Sequence, residues 1–234
     1  MQVSRPGTSR IQSAVANTSA PAKAALPATP APAAPTPPAD QSALSAAQGQ
    51  AQSVLNLFEA PAAEIEALKQ LTPKQLAELG KQADKGPFFK ALLPGALESQ
   101  HKYGIPAQLT LAQAALESGW GKHAIGGYNI FGIKGAGPAG SVVKSTREYT
   151  NTQIKAAFAK FHNFYEAISE HGQLFHNGAY DKALAQFKKD NSVSQFVRNI
   201  GPVYATAPGY AREVLAMIKK HGLNELVSPS RAQE

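Results

Sequence analysis

Apolar residues recur along this chain at two periods, one helical and one extended. Ala211, Val214, Leu215 and Ile218 fall at i, i+3, i+4 and i+7, the spacing of one helix face. They predict a last helix that follows Pro208 and closes at Gly222. Val142–Thr150 and Ile154–Phe161 alternate and are rich in β-formers, with Asn151-Thr152 as the turn between them. That pattern predicts an antiparallel hairpin. Thr72-Pro-Lys-Gln75 is a helix start: Thr caps, Pro suits the first helical position, and Gln completes a capping box. Gly80 ends that helix and Gly86-Pro87 marks a boundary. Further helices are predicted over about 88–103, from Ile105-Pro106 to Glu117 or Ser118, over about 164–176, and over about 179–188. Ser192-Val-Ser-Gln195 is a second capping box, opening a short helix to Ile200. Residues 126–141 contain six Gly and no helical period, so a loop is expected, with a short strand at Ile130-Phe-Gly-Ile133. The pattern as a whole is α+β: a mainly helical domain with one small hairpin lobe.

Composition limits where this domain lies. Of the 18 aromatic residues only Phe58 precedes residue 86, so a packed core is expected in the last 149 residues. Residues 1–50 hold 14 Ala, 8 Pro and no aromatic. Such a segment cannot bury enough apolar area to offset ordering entropy, so residues 1–60 read as an extended tether, partly polyproline II. Ser42–Phe58, with Val54, Leu55, Leu57 and Phe58, is either a docking helix for a partner or a weak helix. Protein partners, if any, are expected at residues 42–80. Residues 61–85 read as a short helical linker, 86–226 as the domain and 227–234 as a tail.

The absence of Cys excludes a disulfide framework and a thiolate zinc site. No apolar run approaches the 18 residues of a membrane span. Arg5 and Arg10 are not followed by an apolar block, so the N-terminus does not read as a secretory signal. Residues 86–234 carry 16 Lys and Arg against 10 Asp and Glu, a charge of +6. This suits an anionic partner such as nucleic acid, anionic lipid or bacterial wall, or a scattered solvated surface.

The chemistry concentrates in Leu109-Thr-Leu-Ala-Gln-Ala-Ala-Leu-Glu-Ser-Gly-Trp-Gly121. Glu117 is the single carboxylate at the end of an otherwise uncharged, largely apolar helix. A carboxyl amid apolar surface is hard to ionise, and an acid still protonated near neutral pH can protonate the leaving oxygen of a glycoside. On a helical wheel Leu109, Ala112 and Leu116 share a face, and Glu117 sits at its edge with Thr110 and Gln113. The alternative is an ordinary solvated helix-end acid, which its unfavourable place at the negative end of the helix dipole argues against. Glu148, in the hairpin, is either a second catalytic carboxylate or a strand residue paired with Arg147 or Lys144. His162, His171 and His176 lack the spacing of a helical zinc site and read as surface or core histidines, so no metal or cofactor is expected. No G-x-S-x-G elbow occurs, and Gly135–Gly140 lacks the G-K-[ST] of a phosphate loop. Lys and aromatics interleave at Lys155–Tyr165, but one hairpin is a poor stacking platform for nucleic acid.

The motifs Ala112-Gln-Ala-Ala-Leu-Glu-Ser-Gly-Trp-Gly121, Tyr128-Asn-Ile-Phe-Gly-Ile-Lys134, Thr146-Arg-Glu-Tyr149, Phe158-x-x-Phe161 and Tyr204-Ala-Thr-Ala-Pro-Gly-Tyr-Ala211 occur in that order. Over about residues 86–226 the chain resembles glycoside hydrolase family 73, the peptidoglycan N-acetylglucosaminidases. The resemblance implies a lysozyme-like fold, with a helical lobe facing a small antiparallel β-hairpin lobe across a cleft. It implies hydrolysis of the β-1,4 bond between N-acetylglucosamine and N-acetylmuramic acid. Glu117 is then the general acid, Glu148 a base or stabiliser, and Tyr204 a residue near the reaction centre. Trp120, Tyr128, Asn129, Phe131 and Tyr210 become cleft-lining, substrate-binding positions. The chain departs from the family pattern in Ala207, often Asp in the family, and in Glu148-Tyr-Thr-Asn-Thr152, which lacks the usual Gly. The stretch from Glu117 to Glu148 is also shorter than in the flagellar members.

Ala207 and the missing Gly motivate an alternative to hydrolysis, a wall-binding or assembly module with little turnover; a lytic transglycosylase, with no water attack, is the second alternative. An Ala/Pro tether ahead of a wall enzyme fits the periplasm or cell wall, a phage particle, or a secretion apparatus.

Overall fold

The computed structural model describes residues 62–147, 153–205 and 207–228. The expected tether, Glu148 and the hairpin turn lie outside them.

Nine helices and one hairpin are formed by the described residues. The helices are α1 (Ala62–Gln70), α2 (Pro73–Lys81), α3 (Gly86–Tyr103), α4 (Ala107–Ser118), α5 (Phe164–Leu174), α6 (Asp181–Asp190), α7 (Val193–Tyr204), α8 (Tyr210–Lys220) and α9 (Leu223–Val227). The hairpin, between α4 and α5, pairs β1 (Ser141–Arg147) with β2 (Gln153–Ala159), with Val142 opposite Phe158.

α4 is the central helix. Every residue from Ala107 to Ala115 is buried, as a helix without a polar face must be. α3, α5, α7, α8 and α9 pack around it. Phe88, Phe89, Phe131, Phe164, Phe175 and Phe196 fill the spaces between them, fully buried.

The packed body reaches back to α1, beyond the boundary that the aromatic distribution suggested. Two leucines make the contact: Leu68 and Leu76 are fully buried in the same core. α2 begins at the expected capping box, with the Thr72 side chain accepting from Gln75 N–H and Gln75 returning to the Thr72 backbone. Its last turn lies so close to the segment after α4 that a Cβ at Gly80 would fall on the Trp120 carbonyl. Backbone cannot yield as a side chain can. Gly80→Ala is therefore expected to cost about 1–3 kcal/mol or more, read as a lower thermal midpoint; an unchanged midpoint would mean that α2 is not docked.

Four local expectations are corrected. No strand forms at Ile130–Ile133. Backbone pairing with β2 is limited to one bridge at Lys134–Phe158, and the Asn129 side chain supplies the rest: its Oδ1 accepts from Ile133 N–H at 2.9 Å, and its Nδ2 donates to Ile133 O and to Ala159 O, each at 2.9 Å. α7 continues through Pro202 to Tyr204 because Ile200, Gly201 and Tyr204 are held in the core. α5 stops at Leu174, short of 176. Gly222 ends one helix but caps another, α9, whose Leu223 and Val227 are buried.

Candidate active site

Glu117 occupies the last turn of α4, half-buried, where the helix emerges from the core. One turn earlier on the same face is Gln113, fully buried. Tyr210, the first residue of α8, closes over both. Its hydroxyl donates to Glu117 Oε1 at 3.0 Å and accepts from Gln113 Nε2 at 2.8 Å. Behind Gln113 stands His171 of α5, with Nε2 at 2.9 Å from Gln113 Oε1. A continuous hydrogen-bonded chain thus runs from the centre of the core to the carboxylate.

Aromatic rings enclose this chain. His171 stacks on Phe131 at 4.0 Å. Tyr204 stacks between Tyr210 at 5.5 Å and Phe175 at 5.8 Å. The Tyr204 hydroxyl is buried with no hydrogen-bond partner among the described residues. Burial first, and then the negative charge of Glu117, push the Tyr204 and Tyr210 hydroxyls well above the ordinary tyrosine range. Both rings remain protonated donors at ordinary pH. Burial alone pushes the His171 imidazole down to about 3, so it is neutral.

The His171 shift has a measurable consequence. The unfolded chain takes that proton near 6.5 and the folded chain near 3, so the unfolded state carries more protons throughout the window. Stability should then fall as pH drops from 6.5 toward 3, by up to about 1.4 kcal/mol per pH unit from this group. Urea melts across that range check it, and His171→Gln should flatten the slope. An unchanged slope would mean that His171 titrates normally.

The structure brings Glu117, Tyr204 and Tyr210 together. It does not add Trp120 to them. Gly119, Trp120 and Gly121 all adopt positive φ, at 55°, 65° and 79°. This left-handed turn sends the indole against Phe88, Phe89 and His221, with Lys85 Nζ 5.1 Å above the ring. Trp120 therefore anchors the segment that follows Glu117. Asn129 and Phe131 are buried, the first pinning its loop to β2 and the second packing on His171. Tyr128 is half-exposed and packs edge-on against Phe164 at 5.0 Å. Ala207, at the position where the family often has Asp, contributes its backbone: its carbonyl accepts from Tyr210 N–H at 3.4 Å.

Gln113 and His171 are the site residues that sequence reasoning passed over. The one available signal is a Gln placed four residues before Glu117, on the same face of an uncharged, largely apolar helix.

The glucosaminidase family model, described as mannosyl-glycoprotein endo-beta-N-acetylglucosaminidase, matches residues 93–223. This is more than half of the chain, from mid-α3 to the start of α9. The chain belongs to the glucosaminidase family. Among its relatives, peptidoglycan hydrolase FlgJ of Escherichia coli (strain K12) is 36% identical over 171 residues, covering 66% of this chain and 53% of that protein. Exo-glucosaminidase LytG of Bacillus subtilis (strain 168) is 29% identical over 171 residues, covering 68% of this chain and 60% of that protein. The chain thus spans a little over half the length of these curated relatives. The crystal structure of the catalytic domain of the autolysin Auto from Listeria monocytogenes superposes with a TM-score of 0.56 at 28% identity, covering 62% of this chain and 88% of that domain. The glucosaminidase fold is therefore lysozyme-like here too, a helical body carrying a small two-stranded antiparallel sheet.

Proposed function

We propose that this glucosaminidase hydrolyses peptidoglycan glycan strands at the β-1,4 bond between N-acetylglucosamine and N-acetylmuramic acid, with Glu117 as general acid. The observation that carries the reading is the half-buried Glu117 carboxyl, tied by its Oε1 to the buried Tyr210 hydroxyl, in a chain of this family. The carbonyl oxygen of a carboxylic acid is its better acceptor, so the reading makes Oε1, which accepts from Tyr210, the carbonyl. In this reading the transferable proton sits on Oε2. Tyr204, stacked behind Tyr210, stiffens that hydroxyl. Glu148 is the second carboxylate of the proposal, as base or stabiliser of the oxocarbenium-like transition state. Tyr128, half-exposed, is the sugar-contacting aromatic of the proposal.

Several facts support peptidoglycan as substrate. Relatives carry the names peptidoglycan hydrolase and exo-glucosaminidase, and the domain's excess positive charge suits an anionic wall. The site of action is then the periplasm or cell wall. Among the described residues no helix is long and apolar enough to cross a membrane.

The test is the chemical identity of the ends released from purified sacculi. Reducing N-acetylglucosamine is the expected end. Reducing N-acetylmuramic acid would move the cleaved bond, and anhydromuramic ends would make the protein a lytic transglycosylase. Bound protein without products would make it a wall-binding module.

A further inference from the structure

Gln113 and His171 are costly residues to place where they are. Both are fully buried, on neighbouring helices α4 and α5, amid Phe131, Phe175 and Tyr204. Burying an amide and an imidazole opposes folding unless their polar atoms are satisfied. An apolar pair of similar volume would fill the space without that cost. The pair also ends on Glu117 and not elsewhere in the core.

We propose that Gln113 and His171 are positioning residues for Glu117, acting through Tyr210. The inference rests on Glu117 being the acid, and it concerns the direction of the hydrogen bonds. Tyr210 has one hydroxyl proton, which can go to Glu117 or to Gln113. With the Gln113 amide nitrogen facing Tyr210 at 2.8 Å, the amide donates and the tyrosine proton is left for Glu117. With the amide reversed, its oxygen would take the proton and the Tyr210 hydroxyl would no longer donate to Glu117 Oε1.

His171 selects between the two. The Gln113 Oε1 that faces it can only accept, so His171 must present N–H at Nε2. Its Nδ1 is then unprotonated, which agrees with Nδ1 being buried without a partner, since a buried orphan acceptor is tolerated better than an orphan N–H. Being neutral, His171 adds no charge beside the carboxylate. Phe131 and Phe175 pack on the imidazole at 4.0 and 5.3 Å and hold its plane. The aromatic core thus sets a tautomer, the tautomer sets an amide, and the amide sets where the tyrosine proton points.

The test combines a mutant cycle with a spectroscopic signature. Gln113→Met keeps volume and removes both hydrogen bonds. Its rate of reducing-end release at saturating sacculi should fall about tenfold to 10²-fold, the scale of a misplaced catalytic group, with little change in apparent KM. In a Tyr210→Phe background the same substitution should add nothing, because the relay is already cut. Additive losses, or an unchanged rate in Gln113→Met, would overturn the proposal and leave a purely structural pair. The tautomer is read on the unaltered protein by long-range proton–nitrogen correlation of labelled histidine. His171 should be protonated at Nε2 and not at Nδ1 from pH 5 to 8, and the reverse tautomer overturns the proposal even if Gln113→Met does not fold. The two readings fail separately: an active Glu117→Gln removes the acid assignment, whereas an inactive Glu117→Gln beside a fully active Gln113→Met removes only this inference.

Discussion

Glu117→Gln is expected to lower glycan cleavage by about 10²–10⁴-fold, the usual contribution of a positioned general acid, while leaving fold and sacculus binding intact. The substitution is nearly isosteric. A glutamine oxygen still accepts from the Tyr210 hydroxyl, which now meets Glu117 Oε1 at 3.0 Å, so the end of α4 and the start of α8 stay joined. What is lost is a proton that can be transferred. Thermal midpoint and pelleting with sacculi should therefore match the unaltered protein, and the loss should fall on turnover. A variant within a few-fold of the original rate would contradict the assignment. A variant and parent that bind equally and cleave equally little would identify a wall-binding module.

The largest expected effect on stability is Phe131→Ala, at about 3–5 kcal/mol. Phe131 is fully buried and lies 4.0 Å from the His171 ring, nearly parallel to it. Truncation would open a cavity beneath the imidazole and release its plane. For a domain of this size the loss corresponds to a thermal midpoint lower by on the order of 10 °C. Tyr128→Ala, three residues earlier and half-exposed, should behave oppositely, with a small shift in midpoint and a raised apparent KM. Thermal unfolding together with initial rates on sacculi separates the two. If Phe131→Ala kept its stability and raised KM, the ring would be a sugar platform after all.

The contrast between these neighbours shows where sequence reading succeeds and where it stops. Local rules were legible. The Thr72–Gln75 capping box forms in full, a contact between residues three apart; the Ser192 box forms only by half, its side chain accepting from Gln195 N–H while Ser192 N–H goes to Asp190 Oδ1 and the Gln195 amide turns to Asn199. The α8 face was legible from its period, and the hairpin from its alternation. Glu117 stood out because one charge in an apolar helix is visible without coordinates. Long-range substitutions for local structure were not legible. The run Ile130–Ile133 looks like a short strand, yet the Asn129 side chain bonds Ile133 N–H and O and Ala159 O, and Phe131 is buried. Trp120 between two glycines looks like a sugar platform, yet three successive positive φ angles direct it beneath α2 and α3. Gln113 and His171 lie 58 residues apart, so no periodicity could pair them. Histidine spacing speaks only to metal ligation, whereas the partner of His171 is an amide.

The measurement that bears most directly on the central claim is digestion of purified sacculi in ¹⁸O-labelled water by the parent and by Glu117→Gln, with products resolved by mass spectrometry. The account predicts fragments ending in reducing N-acetylglucosamine that carry one ¹⁸O, abundant with the parent and nearly absent with the variant. Equal yields from both proteins, or unlabelled anhydro ends from the parent, would contradict it.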